Sequence, residues 1–475
     1  MIAEAETGDV GVFGGRKRAA RGERYAGEGP AEERYVVGEL DDHDEALPRI
    51  PTPAQPGTWQ APDALEQHLY ELLTRHAATE WEDEEAAEEA RGDMTLAYLE
   101  ALAGDLVYVP FRREDTSPDP GRRTFHVHDT PVGRLVAVYT RGVLPRPHPH
   151  FVFEAYTLRD LADDLPRDVD GIAVNSQTPC PMLMSADAEE RQVWRALHNE
   201  HWDEDGRAER LVALRAGAPP LGPLLHGLAL GAHMCFVNGE AWNNPHYHGL
   251  GLSIEHERLA KWWGVTDRAG WQETQRRLLA REVTPWYWEY VLDTRTALAH
   301  RYTDGRLQAV DATAWRECVE STLRERAAQQ PDEIGPDWEE FVGHVVGLVG
   351  KVLRYEGRFR ADGLLAADAA VRSVAAWDLG RASMMARWGY GSRFATRAEM
   401  REAVVEASEA AQSAHTSWQD FSAGYALGRC LHFDDEEFGG WYQEMLAAHR
   451  TLATHPDSPW HTVPFHVPRG AALGG

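Results

Sequence analysis

The sequence predicts an α+β domain followed by a mostly α-helical domain. Between residues 106 and 175, the short apolar runs "LVYVPF", "TFHVH", "LVAVYT" and "FVFEAY" are rich in β-branched and aromatic residues and are separated by glycine and proline turns. Such runs are typical of strands. After about residue 186 the apolar residues recur at helical spacing. We therefore place the α+β domain at residues 58–185 and the helical domain at residues 186–475.

The residues before the first domain have a different composition. Residues 1–57 contain few apolar side chains and include an acidic, proline-rich stretch. A segment of this kind cannot bury enough apolar surface to fold, so the sequence predicts a disordered tail over residues 1–57. Its basic run, Arg16–Arg18, is either a solvated part of the tail or a docking element for an acidic surface.

Local sequence patterns predict the order of helices and strands in the α+β domain. Leucines from Leu65 to Leu73 fall at helical spacing and predict leading helices. Thr157 and Asp160 have the spacing of a helix cap, and "GIAVNS" (171–176) is a further strand running into a turn. The predicted order is β-β-β-β-α-β.

Capping patterns also mark helix ends in the second domain. A side-chain oxygen that precedes an apolar helical run can accept a bond from a free backbone N–H, and a glycine after the run can end it. The predicted pairs of residues are Ser253 with Gly264, Thr396 with Glu399, and Ser417 with Asp420.

The charge and cysteine content restrict the classes of partner. The formal net charge is -28, which disfavours nucleic acid and anionic membranes and favours a basic protein partner. The four cysteines form no CxxC pair, as expected of free thiols in a reducing cytoplasm. The longest apolar stretches, Leu224–Val237 and Phe341–Leu353, are too short to span a membrane. We expect a cytoplasmic protein without a signal peptide.

The strand-rich segment resembles the N-terminal domain of SseB-like proteins. The resemblance rests on "DLVYVPF" (105–111), "LVAVYT" (135–140) and "GIAVNS" (171–176) and covers about 100 residues. Ser176 stands where the family often has proline, which is a departure from its turn pattern.

The helical half resembles the bacterial family called domain of unknown function 1266. The matching text, in the family's order, is "GLALGAHMCFVNGE" (227–240), "AWDLGRASMMARWGY" (376–390), "SWQDFSAGYALGR" (417–429) and "SPW" (458–460). The resemblance implies a mostly α fold in a bacterial, intracellular setting and implies no activity. Both families are associated with secretion and interbacterial conflict, which is an argument by analogy.

Two apolar helical stripes with embedded charges form the main candidate site. In the first stripe, Asp378 lies three residues before Arg381, within reach of an ion pair on a helix. One interpretation is a buried polar network that fixes how the helices cross. Another is a pocket for an anion or a peptide carboxylate, and a third makes Asp378 a general base. The candidate binding residues are Trp377, Asp378, Arg381, Trp388, Trp418, Tyr425 and Arg429.

The second stripe also contains small residues at helical spacing. Gly424 and Gly428 predict a groove where another helix approaches closely.

Histidine pairs provide a weaker candidate for metal binding. His246 and His248 are one residue apart, as are His126 and His128, but HExxH and other ligand spacings are absent. The sequence also lacks GxSxG and Walker motifs. Cys235 lies in an apolar run and is interpreted as a buried small residue rather than a reactive thiolate. We assign no cofactor.

These observations favour a non-enzymatic, cytoplasmic protein-binding or adaptor protein. An immunity, chaperone or regulatory role in a secretion or conflict system fits the two resemblances. The alternative is an enzyme that acts on an anionic small molecule or peptide through Asp378, Arg381 and Arg429. The sequence indicates neither the partner nor the oligomeric state.

Overall fold

A computed structural model describes residues 59–116, 124–145, 150–203, 209–215, 218–245, 249–329 and 337–468. Within these ranges, an α+β unit is followed by a helical unit, which confirms the predicted fold class. The predicted disordered tail, residues 1–57, lies outside the described residues.

The α+β unit is built on a mixed sheet whose described strands run in the order β4-β1-β3-β5-β6, with β2 paired to β3 as a hairpin. The β3–β5 pair is parallel and the other pairs are antiparallel. The predicted order β-β-β-β-α-β is confirmed and is extended by β6. The elements are α1 (Ala64–Ala78), α2 (Glu84–Ala103), β1 (Val107–Arg112), β2 (Val127–Thr130), β3 (Gly133–Thr140), β4 (Phe151–Tyr156), α3 (Leu158–Asp164), β5 (Gly171–Val174), β6 (Met182–Ser185) and α4 (Ala188–His201).

Helix α4 belongs to the core of this unit. Trp194 is fully buried in the cluster formed by the strands, α2 and α3. Arg191 donates hydrogen bonds to the carbonyls of Leu165, Pro166 and Ala186, which fixes α4 against the preceding loops. Helix α4, which follows the boundary predicted after residue 185, therefore packs one face onto the core of the α+β unit.

The helical unit surrounds one central helix. None of the described helices combines the length and apolar character needed to cross a bilayer. Its elements are α5 (Pro223–Leu230), α6 (Ala232–Asn238), α7 (Leu252–Trp263), α8 (Arg268–Leu279), α9 (Trp286–Tyr302), α10 (Ala312–Gln329), α11 (Trp338–Asp362), α12 (Ala375–Gly391), α13 (Arg397–Ala414), α14 (Trp418–Phe433), α15 (Gly440–Thr454) and α16 (Pro459–Thr462).

Helix α12 is the centre of this unit, since every residue from Ala375 to Tyr390 is buried. It packs against α5, α8, α13 and α14. A Cβ atom added to Gly428 would lie 2.5 Å from Cβ of Trp377, and one added to Gly424 would lie 2.3 Å from the carbonyl oxygen of Ser373. The predicted close approach at these two glycines is confirmed.

The observed helix ends show which of the predicted capping residues form caps. The Thr396–Glu399 capping box forms in full, and Ser417 accepts a bond from the backbone N–H of Asp420. Gly264 ends α7 in the left-handed conformation, at φ 63°. The predicted N-cap at Ser253 is wrong, because α7 begins at Leu252.

Ser253 instead joins the two units. The buried carboxylate of Glu154, on β4, accepts hydrogen bonds from the backbone N–H of Ser253 at 3.1 Å and from its hydroxyl at 2.8 Å. A carboxylate at this position also complements the positive end of the helix dipole. The chain before α7 pairs with the same strand, where Ala155 donates to the carbonyl of Leu250 at 3.2 Å. The α+β unit thus supplies the cap of a helix in the helical unit.

Candidate functional site

The predicted pair of Asp378 and Arg381 lies inside the helical unit. The Arg381 guanidinium donates to the Asp378 carboxylate, and Thr284 donates to that carboxylate from its hydroxyl at 2.7 Å and its backbone N–H at 3.1 Å. The guanidinium also lies 4.1 Å from the ring centroid of Trp377. Burial lowers the pKa of Arg381. The ion pair predicted from their spacing is therefore present, and it is buried rather than open.

Arg429 takes a different carboxylate. Its guanidinium donates to Glu444 on α15 and lies 5.0 Å from the ring centroid of Trp441. Burial raises the pKa of Glu444. Two buried ion pairs thus occupy this region, where the sequence suggested one network.

Tyr425 lies between these pairs and is fully buried. Burial raises the pKa of its phenol to about 12, an effect opposed by Arg429 and Arg381. Its hydroxyl has no hydrogen-bond partner among the described residues.

The three tryptophans of the candidate set pack in different surroundings. Trp377 contacts Tyr425 with ring centroids 5.0 Å apart, whereas Trp388 lies 5.4 Å from the guanidinium of Arg258. Trp418 donates its indole N–H to the carbonyl of Val463 at 2.7 Å. All three are buried. A ligand-binding role for the seven candidate residues stays a prediction.

The histidine pairs divide between described and undescribed segments. His246 and His248 lie outside the described residues. The rings of His126 and His128 are neighbours, with centroids 4.4 Å apart. In the part of the chain that the structure describes, no group of three or more His, Cys, Asp or Glu side chains is placed to hold a metal ion. Cys235 is buried as interpreted, and burial raises the pKa of its thiol to about 11.

A cavity of about 290 Å³ lies elsewhere in the helical unit, where α9, α10 and α11 meet. Its buried floor is formed by Arg295, Glu356 and Trp315. Gln308 and Ala367 are exposed, which places them at the opening. The half-buried side chains of Leu307, Val310, Leu353 and Arg360 lie between the floor and the opening. The lining residues are Arg295, Leu307, Gln308, Val310, Trp315, Leu353, Glu356, Arg360 and Ala367.

The charged groups of this cavity are held in place by one another. Arg295 contacts Glu356 at 2.8 Å, and Arg360 contacts it at 3.2 Å. The backbone N–H of Val371 donates to the same carboxylate at 2.8 Å. The Arg295 guanidinium lies 4.5 Å from the ring centroid of Trp315, a cation–π distance. Because two guanidinium groups share one carboxylate, the ionisable groups of the lining carry a net charge of +1.

The sequence analysis missed these residues, although a signal was present. Arg295 lies on α9 with Val291, Leu292, Leu298 and Ala299 at the neighbouring helical positions. A charge within an apolar face is costly to bury unless it is paired. That pattern could have identified Arg295 as a buried ion-pair residue, but not its partner Glu356, which lies on a different helix.

Comparisons with known proteins match part of the helical unit. Residues 258–465 match the family described as protein of unknown function (DUF1266). The cavity lies within this DUF1266 segment, as do the seven residues predicted from the sequence. No curated protein and no solved structure matches the chain. The family relationship therefore supports the predicted identity of the helical half and supplies no activity.

Proposed function

We propose that the helical unit binds a small anionic ligand in the cavity between α9, α10 and α11. The observation that carries the proposal is the convergence of two guanidinium groups and one carboxylate in a single cavity of about 290 Å³. Arginine binds carboxylate and phosphate groups through parallel N–H donors, and its charge persists when it is buried. An anion is the ligand that compensates the excess positive charge.

The arrangement favours binding over a reaction at these side chains. Glu356 already accepts from the backbone N–H of Val371 through Oε1 and from Arg360 through Oε2, and its Oε1 forms an ion pair with Arg295. A carboxylate held by two hydrogen-bond donors and an ion pair is suited to orienting the guanidinium groups. Both contacts of Arg295 with Glu356 and Val371 use Nη2, so Nε and Nη1 are outside these contacts.

Replacing Arg360 with glutamine should weaken anion binding about tenfold or more, since a charge-assisted hydrogen bond contributes about 1.5–3 kcal/mol. In this variant Glu356 keeps the backbone N–H of Val371 as a donor and keeps its ion pair with Arg295, so the fold should survive. Isothermal titration calorimetry with 4-methylpentanoate and with 3-methylbutyl phosphate would measure the effect. The matched control is Arg354→Gln on the same helix, where the side chain is 59% exposed and pairs with Glu436. Failure of the wild-type protein to bind either anion would refute the proposal.

A second proposed function is protein binding, with the protein acting as an adaptor, immunity factor, chaperone or regulator in the bacterial cytoplasm. The observation that favours it is an aromatic cluster at the surface, in which Trp286 is exposed and Tyr287, Trp338 and Phe341 are half-buried. Trp286 is 55% exposed and lies 6.1 Å from Phe341 between ring centroids. The first turn of α11 adds the acidic Glu340. A basic, arginine-containing segment of another protein suits this combination, because guanidinium groups stack on aromatic rings. We also propose that the α+β unit is related to SseB-like proteins, on the strand segments at residues 105–111, 135–140 and 171–176.

Substituting Trp286 with serine should abolish capture of such a partner from host lysate. Tyr302→Ser is the control, because Tyr302 is 67% exposed and lies at the opposite end of α9. Support requires a stoichiometric, basic partner that is lost with Trp286→Ser, is retained with Tyr302→Ser, and dissociates as salt is raised. A partner that both variants retain would exclude this surface.

A further inference from the structure

We infer that the ligand of the cavity is a free monocarboxylate with an apolar body, which enters with the carboxylate first. This inference rests on the proposed anion-binding function and adds the chemical class of the ligand. It depends on the net charge of the arginine and glutamate side chains in the lining, on the apolar character of the walls, and on the positions of these groups between the opening and the floor.

The net charge of the charged lining residues selects a monoanion. The guanidinium groups of Arg295 and Arg360 exceed the carboxylate of Glu356 by one charge. A carboxylate compensates this excess, whereas a phosphate monoester carries about -1.5 to -2 at pH 7 and would leave negative charge next to Glu356. Uncompensated charge in a buried site is unfavourable.

The walls select an apolar body. Leu307, Val310 and Leu353 line the cavity and are half-buried, and Trp315 adds an aromatic face at the floor. Gln308 and Ala367, at the opening, are exposed. The only uncharged polar side chain of the lining is therefore at the mouth. A ligand that follows this order places its carboxylate on the arginines and its hydrocarbon part against the leucine and valine side chains.

The size of the cavity is consistent with a small acid. Its volume, about 290 Å³, is just below the range of roughly 300–1,000 Å³ seen for small-molecule sites. The lining offers few hydrogen-bond partners to an amide group of a ligand, because Gln308 is the only amide side chain among the lining residues. The end of a peptide chain would carry such a group into the apolar walls, and a free acid would not.

Calorimetry of the full chain with four probes of similar shape tests this inference. We expect 4-methylpentanoate to bind at least about tenfold more tightly than 3-methylbutyl phosphate, N-acetyl-leucine or the neutral 4-methylpentanamide. Arg360→Gln should weaken the binding of 4-methylpentanoate about tenfold, and Arg354→Gln should leave it unchanged.

Each of the other outcomes would overturn one part of the inference about the ligand. Tighter binding of the phosphate would overturn the monocarboxylate and leave the anion site standing. Equal binding of N-acetyl-leucine would overturn the free acid in favour of a chain terminus. Equal binding of the amide, or no effect of Arg360→Gln, would overturn the assignment of the arginines. An absence of binding by all four probes would overturn the inference together with the proposed function.

Discussion

Replacing Gly428 with alanine should destabilise the helical unit by about 2 kcal/mol, the middle of the range for overpacked cores. The new Cβ atom would lie 2.5 Å from Cβ of Trp377, where carbon atoms in contact are normally about 3.5–4.0 Å apart. The neighbouring atom belongs to the rigid start of a buried side chain on α12, so α12 and α14 must separate. Urea unfolding followed by circular dichroism at helical wavelengths would measure the loss.

Gly343→Ala provides the matched control for this substitution. Gly343 lies within α11, and a Cβ atom added there would meet nothing within 4 Å. Alanine should therefore stabilise the protein by about 0.5–1 kcal/mol, through its higher helix propensity. If both substitutions shift the unfolding midpoint in the same direction, close approach at Gly428 does not determine the stability of this pair of helices.

Replacing Glu66 with glutamine should remove a loss of stability that the wild-type protein shows as the pH rises. Glu66, on α1, is fully buried, accepts from Thr140 and from the backbone N–H of Gly142 at 2.9 Å, and has no partner for Oε2 among the described residues. Burial raises the pKa of this carboxyl group from 4.5 to about 7, and Asp63 adds to the effect.

The sign of the effect follows from proton binding. Between pH 4.5 and 7 the folded chain holds a proton that the unfolded chain has released, so the free energy of unfolding falls as the pH rises. The full loss is about 3 kcal/mol above pH 7, since one pKa unit corresponds to about 1.4 kcal/mol. Unfolding at pH 5 and pH 8 would show Glu66→Gln gaining stability relative to wild type at the higher pH only.

An exposed residue on the same helix provides the control. Glu71 is exposed and accepts a hydrogen bond from Gln67 at 2.8 Å. Glu71→Gln should change stability by a similar small amount at both pH values. A difference between Glu66→Gln and wild type that stays constant from pH 5 to pH 8 would contradict an ionisation at Glu66.

Much of this fold could be predicted from local interactions, because the two residues of each interaction lie within about one helical turn of each other in the sequence. The Thr396–Glu399 box and the Asp378–Arg381 pair both form as their spacing predicts. The β-branched and aromatic composition of the short apolar runs, together with the helical spacing of apolar residues elsewhere, likewise predicted the order of elements and the fold class.

Interactions between distant segments could not be predicted in the same way. Ser253 has the sequence context of a cap, yet Gly251 is the N-cap of α7, and the backbone N–H of Ser253 bonds to Glu154, 99 residues earlier. Arg295 and Glu356 meet only because α9 and α11 pack together. The cavity depends on how three helices cross, and the spacing of residues within any one helix does not record that geometry.

Helix α5 packs against α13, although α5 lies outside the segment that matches the family. A Cβ atom added to Gly227 would lie 2.1 Å from the backbone oxygen of Val404, and Ser383 donates to the carbonyl of Gly227 at 2.7 Å. The family match begins at residue 258, after α5 and α6 and within α7. A fragment cut at that point would leave apolar faces of α12 and α13 open to solvent and remove the first turn of α7. We therefore expect a fragment of this half that folds by itself to begin before α5, upstream of the segment that matches the family.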